Sequence, residues 1–257
     1  MKDEGVPAIA FRGVSKTYRS AAGGPPHRAL ASVSLEVARG EFVAVMGPSG
    51  SGKTTMLNLA GLIDRPDSGE ILLEGESGQA LRGRALADFR RRRLGFVFQD
   101  SNLIDTMTFG ENILLPLALD GADGESSAQR VDELARDLGI AEILSKYPCE
   151  ASGGQRQRAA AARALALKPS ILLADEPTGA LGSRAGKGLM ECFESLNASS
   201  RSAILMVTHD PFAASWAGRV LFLRDGELFT ELRRCGDRRA FFERIMAVVS
   251  AMEGEAR

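Results

Sequence analysis

Glu41-Phe42-Val43-Ala44-Val45-Met46 runs directly into Gly47-Pro48-Ser49-Gly50-Ser51-Gly52-Lys53-Thr54-Thr55. The first six residues read as a short strand and Lys53 to Leu62 as a helix, so the glycine-rich stretch joins strand to helix. It satisfies G-x-x-x-x-G-K-[ST] in the structural context that spacing requires. Glycines let successive backbone N–H groups turn inward to a phosphate, and the following helix presents its positive end to the same anion. Lys53 is placed to neutralise the β and γ oxygens of a nucleoside triphosphate, and the Thr54 hydroxyl to join a magnesium shell. The competing account is a glycine-rich turn with no ligand.

Further along, the apolar run Ile171-Leu172-Leu173-Ala174 ends in Asp175-Glu176. Such a strand delivers two carboxylates at its carboxyl end, where open α/β sheets bind ligands. Asp175 suits the magnesium shell through water. Glu176 suits polarisation of an attacking water, because in-line phosphoryl transfer needs a positioned nucleophile and charge neutralisation. Alone, an acidic pair after a strand is commonly a solvated strand end or a helix cap; the phosphate loop upstream gives it a catalytic reading.

Around these motifs, the runs Ile9 to Val14, Ser32 to Val37, Gly69 to Glu74, Leu94 to Phe98, Ala203 to Val207 and Arg219 to Phe222 predict the other strands of an α/β nucleotide-binding core. Helices are expected over Leu86 to Arg93 and Arg184 to Leu196. From Phe109 to Leu167 the periodicity is helical, interrupted at Asp120 to Ser127, whose Gly, Asp and Ser residues suit a loop. One domain over 1–257 is expected: a core of 8–100 and 168–230, a helical subdomain of 101–167 and a C-terminal tail of 231–257.

A formal net charge of -1 argues against general nucleic-acid binding, which usually needs a basic excess. Cys149, Cys192 and Cys235 are odd in number and widely spaced, which fits reduced thiols rather than a disulfide framework or zinc site. Asp3 and Glu4 stand where a signal peptide would carry basic residues, and no run reaches the roughly 20 apolar residues of a membrane helix.

With Ser152-Gly153-Gly154-Gln155-Arg156-Gln157-Arg158 added to these motifs, the chain over about residues 8 to 230 resembles the ATP-binding subunit of an ABC transporter. This stretch is similar to the family signature, with Ala151 where Leu is commonest. The resemblance implies a P-loop core of ABC ATPase type, an N-terminal antiparallel β subdomain and a helical signature subdomain. It also implies ATP and Mg2+ as ligands, and a head-to-tail homodimer in which Ser152, Gly153, Gly154 and Gln155 of one copy cover the ATP held by the other. Tyr18 resembles the aromatic residue that stacks on adenine. Gln99 resembles the Q-loop glutamine that senses magnesium and attacking water, and His209 the switch histidine that contacts the γ-phosphate. His27 sits in a Gly/Pro-rich turn with no assigned role. One position departs from the pattern: Gly179-Ala180-Leu181-Gly182 carries glycine where the family D-loop has aspartate, which predicts weaker coupling between the two ATP sites.

Within the family, Leu172-Leu173-Ala174-Asp175-Glu176-Pro177-Thr178-Gly179-Ala180-Leu181 resembles the branch of lipoprotein-releasing, macrolide-exporting and cell-division ATPases. Phe96-Val97-Phe98-Gln99-Asp100, Gly110 to Leu117 and Ile204 to Ser215 are similar to bacitracin-type peptide-resistance transporters. The implied protein is a cytoplasmic ATPase, peripheral on the inner membrane face and touching the membrane only through a separate permease. DNA-repair and chromosome ATPases need a long insertion that the distance from Lys53 to Ser152 does not allow, and soluble translation-associated members carry two cassettes. The run Arg90-Arg91-Arg92-Arg93 reads as a solvated helix face or as a contact for permease or anionic lipid. In the tail, Phe241, Phe242, Ile245, Val248, Val249 and Met252 form a helical stripe that either packs on its own domain or docks elsewhere.

Overall fold

The computed structural model describes residues 5–19 and 25–254; Asp3, Glu4 and the last residues of the tail lie outside them. An antiparallel sheet has the order β2 (His27–Val37), β1 (Ile9–Tyr18), β4 (Ser68–Leu73), β5 (Glu76–Ser77). A second sheet has the order β10 (Glu227–Arg233), β9 (Arg219–Arg224), β3 (Phe42–Met46), β8 (Ala203–Val207), β7 (Ile171–Asp175), β6 (Leu94–Val97). Its strands run parallel except β10, which turns back on β9. β3, β7 and β8 are buried along their whole length, because both faces are covered; hence their sequences are unbroken apolar runs rather than alternating ones.

One face of this sheet carries α1 (Lys53–Ala60), whose Met56, Leu57, Leu59 and Ala60 are buried with Val43, Val45 and Leu205 on one side and Phe11, Leu30 and Ile71 on the other. The helix that follows the phosphate loop is therefore held between the two sheets. Burying a side chain of this size stabilises by about 1.5–3 kcal/mol, so the loop is anchored on a rigid base. The other face carries α5 (Gly153–Leu165) and α6 (Ser183–Ser200), with α3 (Phe109–Asp120) and α4 (Gly124–Asp137) packed against α5.

The expected loop Asp120 to Ser127 shrinks to residues 121–123. Gly121 closes α3 in the left-handed region, and the Asp123 carboxylate accepts from the N–H groups of Glu125 and Ser126, both at 3.1 Å, which starts α4. Loop-like composition here hid a helix cap. Three elements went unforeseen: β5, β10 and a short helix α7 (Pro211–Ala214).

The basic run ends α2 (Gly83–Arg93), and each guanidinium has a partner within the chain. Arg90 donates to the carbonyls of Gly61 and Leu62 just past α1, Arg91 pairs with Asp88 at 2.8 Å, Arg92 with Asp120 at 2.7 Å and Arg93 with Glu74 at 3.6 Å. The run stitches α2 to its neighbours, although Arg92 and Arg93 remain exposed. The tail forms α8 (Arg238–Gly254), which packs on its own chain through buried Phe241 and Ile245, with the Arg238 guanidinium 3.7 Å over the Trp216 ring. Among the described residues no helix is long and apolar enough to cross a membrane. All three cysteines are free; burial, and then Asp137, push the Cys192 thiol up to about 11.

Candidate functional site

Backbone from both sheets presses on the phosphate loop. A Cβ at Gly47 would lie 2.1 Å from the Leu223 carbonyl oxygen of β9, and one at Gly52, where φ is 100°, 2.2 Å from the Ala29 carbonyl oxygen of β2. No side chain caps α1, so N–H groups at its start are left for a ligand. Lys53 crosses the loop, its ammonium donating to the carbonyls of Gly47 and Pro48 at 2.8 Å each. Burial lowers the Lys53 pKa, against the pull of Glu176 and Asp175. The buried Ser51 hydroxyl has no hydrogen-bond partner among the described residues.

β7 brings Asp175 and Glu176 to the same place. Burial raises the Asp175 pKa and Glu176 raises it further, while the Thr54 hydroxyl and Lys53 act the other way. Glu176 adopts φ 44°, a strained value for a non-glycine residue and one that recurs at functional sites. That turn aims its carboxylate at the end of β8: Oε2 accepts from the Thr208 hydroxyl at 3.0 Å, and Oε1 accepts from the His209 N–H at 2.9 Å and meets His209 Nδ1 at 2.8 Å. The carboxylate is mostly buried, whereas the imidazole is 74% exposed. A carboxylate pinned from one side beside an exposed imidazole can hold a water and accept its proton.

An open cleft of about 940 Å³ gathers the expected residues. Tyr18, Gly47, Pro48, Ser49, Gly50, Gly52, Lys53, Thr54, Thr55, Gln99, Glu176 and His209 all line it, while Ser51 and Asp175 lie buried just behind its wall. The donor set fits a magnesium ion: the hydroxyl of Thr54, a carboxylate of Asp175 and the amide oxygen of Gln99 are hard oxygen ligands, and magnesium takes few protein ligands when phosphates supply the rest. Among the described residues no cluster of three or more His, Cys, Asp or Glu could hold a metal.

Ser152, Gly153, Gly154 and Gln155 do not line this cleft. The Ser152 hydroxyl accepts from the Gln155 N–H at 3.3 Å while Gln155 Oε1 accepts from the Ser152 N–H at 3.0 Å, a reciprocal cap at the start of α5. A Cβ at Gly154 would come 3.3 Å from Leu181, so the turn of residues 179–182 packs on this cap. α5 also holds the segment that carries Gln99: buried Gln157 donates to the Phe98 carbonyl at 2.8 Å, and Arg163 to those of Asn102 at 2.8 Å and Ser101 at 3.2 Å.

Several cleft residues carried no signal in the sequence. His27 pairs opposite Tyr18 across β1 and β2 and lines the cleft, not a turn. Met46 reaches it from β3, Phe222 and Arg224 from β9, Asp225 from the β9–β10 turn, and Val249 and Met252 from α8. No local pattern marks them as cleft residues: the helical stripe that includes Val249 and Met252 speaks only of packing, and the tertiary fold brings them there.

Lysine, carboxylates and a phosphate-shaped loop on one cleft make this a P-loop ATPase. The chain belongs to the ABC transporter family, whose model matches residues 30–179. It is 52% identical over 248 residues to the ABC transporter ATP-binding protein YxdL of Bacillus subtilis, covering 96% of this chain and 95% of that one. It is 47% identical over 227 residues to the bacitracin export ATP-binding protein BceA of Halalkalibacterium halodurans, covering 88% and 89%. Its fold matches a dimeric post-hydrolysis structure of the ATP-binding cassette MJ0796 of Methanocaldococcus jannaschii bound to ADP and Pi, at 39% identity and TM-score 0.84, covering 89% of this chain and all of the other.

Proposed function

We propose that this chain is the Mg2+-dependent, ATP-hydrolysing subunit of a transporter whose permease is a separate chain, and that it removes antimicrobial peptides from their membrane targets. The observation that carries the ATPase reading is the contact between Glu176 and His209 in the cleft that also holds Lys53. Glu176 orients the attacking water and accepts its proton, while His209 touches the γ-phosphate. Lys53 and the loop N–H groups hold the β and γ oxygens, and Tyr18 stacks on adenine. Magnesium, when bound with the nucleotide, would supply neutralisation of the phosphate charge. Thr54, Asp175 and Gln99 would hold it.

Two copies, head to tail, put Ser152 to Gln155 of each over the ATP of the other. Support comes from the position of that signature outside the cleft of its own chain, together with the dimeric state of the MJ0796 cassette. The peptide-resistance reading draws on the motifs shared with bacitracin-type transporters and on the relative named for bacitracin export. We also read the chain as one ABC ATPase domain with the helical insert at 101–167 and a tail from 231. It sits on the inner face of the cell membrane.

The test is to purify the native complex from membranes and assay it. ATPase activity stimulated by a peptide antibiotic, with a co-purifying permease, supports the proposal. Stimulation by a lipoprotein or macrolide instead would remove the peptide assignment while keeping the ATPase.

A further inference from the structure

We propose that Asp64 is a positioning residue for the nucleotide base: it anchors the Tyr18 hydroxyl and so fixes the ring on which adenine stacks. The inference rests on Tyr18 as the adenine platform.

Tyr18 is the last residue of β1 and is 40% exposed, so burial alone does not fix its ring, and its hydroxyl meets the side chains of Asp64 and Thr55. Its hydroxyl donates to Asp64 Oδ2 at 2.8 Å. Asp64 is itself fixed: Oδ1 accepts from Lys16 Nζ at 2.7 Å and from the Arg65 N–H at 2.7 Å. Lys16 is nearly buried, donates to the Arg65 carbonyl at 2.7 Å as well, and sits 5.2 Å from the Tyr18 ring centroid. Burial pushes the Asp64 carboxyl up, but the hydrogen bonds from Lys16, Arg65 and Tyr18 outweigh it and hold the group below the usual carboxylate range. Asp64 therefore stays ionised and a strong acceptor for the phenol.

The carboxylate is tied to the same helix that begins at the phosphate loop. The N–H groups of Ile63 and Asp64 donate to the Asn58 carbonyl of α1 at 2.9 and 3.3 Å, and Arg90 holds the carbonyls of Gly61 and Leu62 between them. α1 thus sets both ends of the nucleotide site, with Lys53, Thr54 and Thr55 at its start and the Tyr18 anchor past its end. A ring already held in place loses little freedom when a base stacks on it, and such preorganisation appears directly as affinity.

The test compares ATP with inorganic tripolyphosphate, which has phosphates but no base, as ligands of the full chain. Asp64→Ala should weaken ATP binding about tenfold, raise KM for ATP with kcat held, and leave tripolyphosphate affinity unchanged. Tyr18→Phe keeps the Lys16–Asp64 pair and should show the same selective loss, so the inference remains testable if Asp64→Ala does not fold. Adding Asp64→Ala to Tyr18→Phe should then change ATP affinity little. Equal losses for ATP and tripolyphosphate, full ATP affinity in Asp64→Ala, or additive losses in the double variant would each overturn it. Tyr18→Ala separates the two layers. If that variant binds ATP normally, the platform reading itself fails; if it binds weakly while Tyr18→Phe binds normally, only the anchor fails.

Discussion

Two glycine-rich helix starts on this chain look alike in sequence and differ in how they are finished. α1 begins with no side-chain cap and opens onto a cleft shared by Lys53, Glu176, His209 and Gln99. α5 begins with the Ser152–Gln155 cap, and these residues do not line that cleft. An uncapped terminus leaves several N–H groups for an anion, whereas a capped one has already used part of its hydrogen-bonding capacity. The phosphate loop therefore meets its catalytic side chains within one chain, whereas the signature does not.

The largest expected effect falls on the phosphate-loop end. Lys53→Ala should reduce ATP hydrolysis at least about 100-fold in a steady-state phosphate-release assay while the far-ultraviolet circular dichroism stays native. Retained turnover would detach the loop from the chemistry. Glu176→Gln should slow turnover by about 100-fold or more with ATP affinity preserved, read by single-turnover kinetics beside equilibrium binding; rapid turnover would remove its role as base.

Asp175→Asn probes the same end through stability. Because burial and Glu176 raise the Asp175 pKa, the charged form is disfavoured in the folded protein, and its uncharged isostere should raise the midpoint of thermal unfolding without ligands by about 2–4 °C. The same change should weaken magnesium-dependent ATP binding. An unchanged or lowered midpoint would mean that the charge is better solvated than its surroundings indicate. The smallest effect belongs to the signature end. Gly182 starts α6 without a side-chain cap, and a Cβ there meets nothing within 4 Å, so Gly182→Asp fits and should add only a few tenths of a kcal/mol through capping. It should also strengthen ATP-driven association of two copies, measured by sedimentation; identical association and ATPase rates would show that the missing carboxylate is inconsequential.

The same contrast separates what the sequence made legible from what it did not. β3, β7 and β8 could be read because strands covered on both faces must be apolar throughout, and the phosphate loop because its glycines and lysine are fixed by the shape of a phosphate. β10 is mostly exposed and interrupts its few apolar residues with Glu, Thr and Arg, so no apolar run marks it. Asp123 was hidden by neighbours that suit a loop, although its carboxylate starts α4. His27 and Met252 became visible as cleft residues only after β1 had paired with β2 and α8 had packed against α7, contacts that no local pattern encodes. Arg90 to Arg93 looked like free charge because their partners, from Gly61 to Asp120, are distant or unremarkable in sequence.

The central claim is that a second copy must supply the signature. Light scattering on Glu176→Gln tests it directly, with and without ATP and with Ser152→Arg added. The expected result is the mass of one chain without ATP, twice that mass with ATP, and one chain again in the Ser152→Arg background, where ATP still binds. A single-chain mass for Glu176→Gln with saturating ATP, or an undiminished dimer when Ser152 is replaced, would contradict the account.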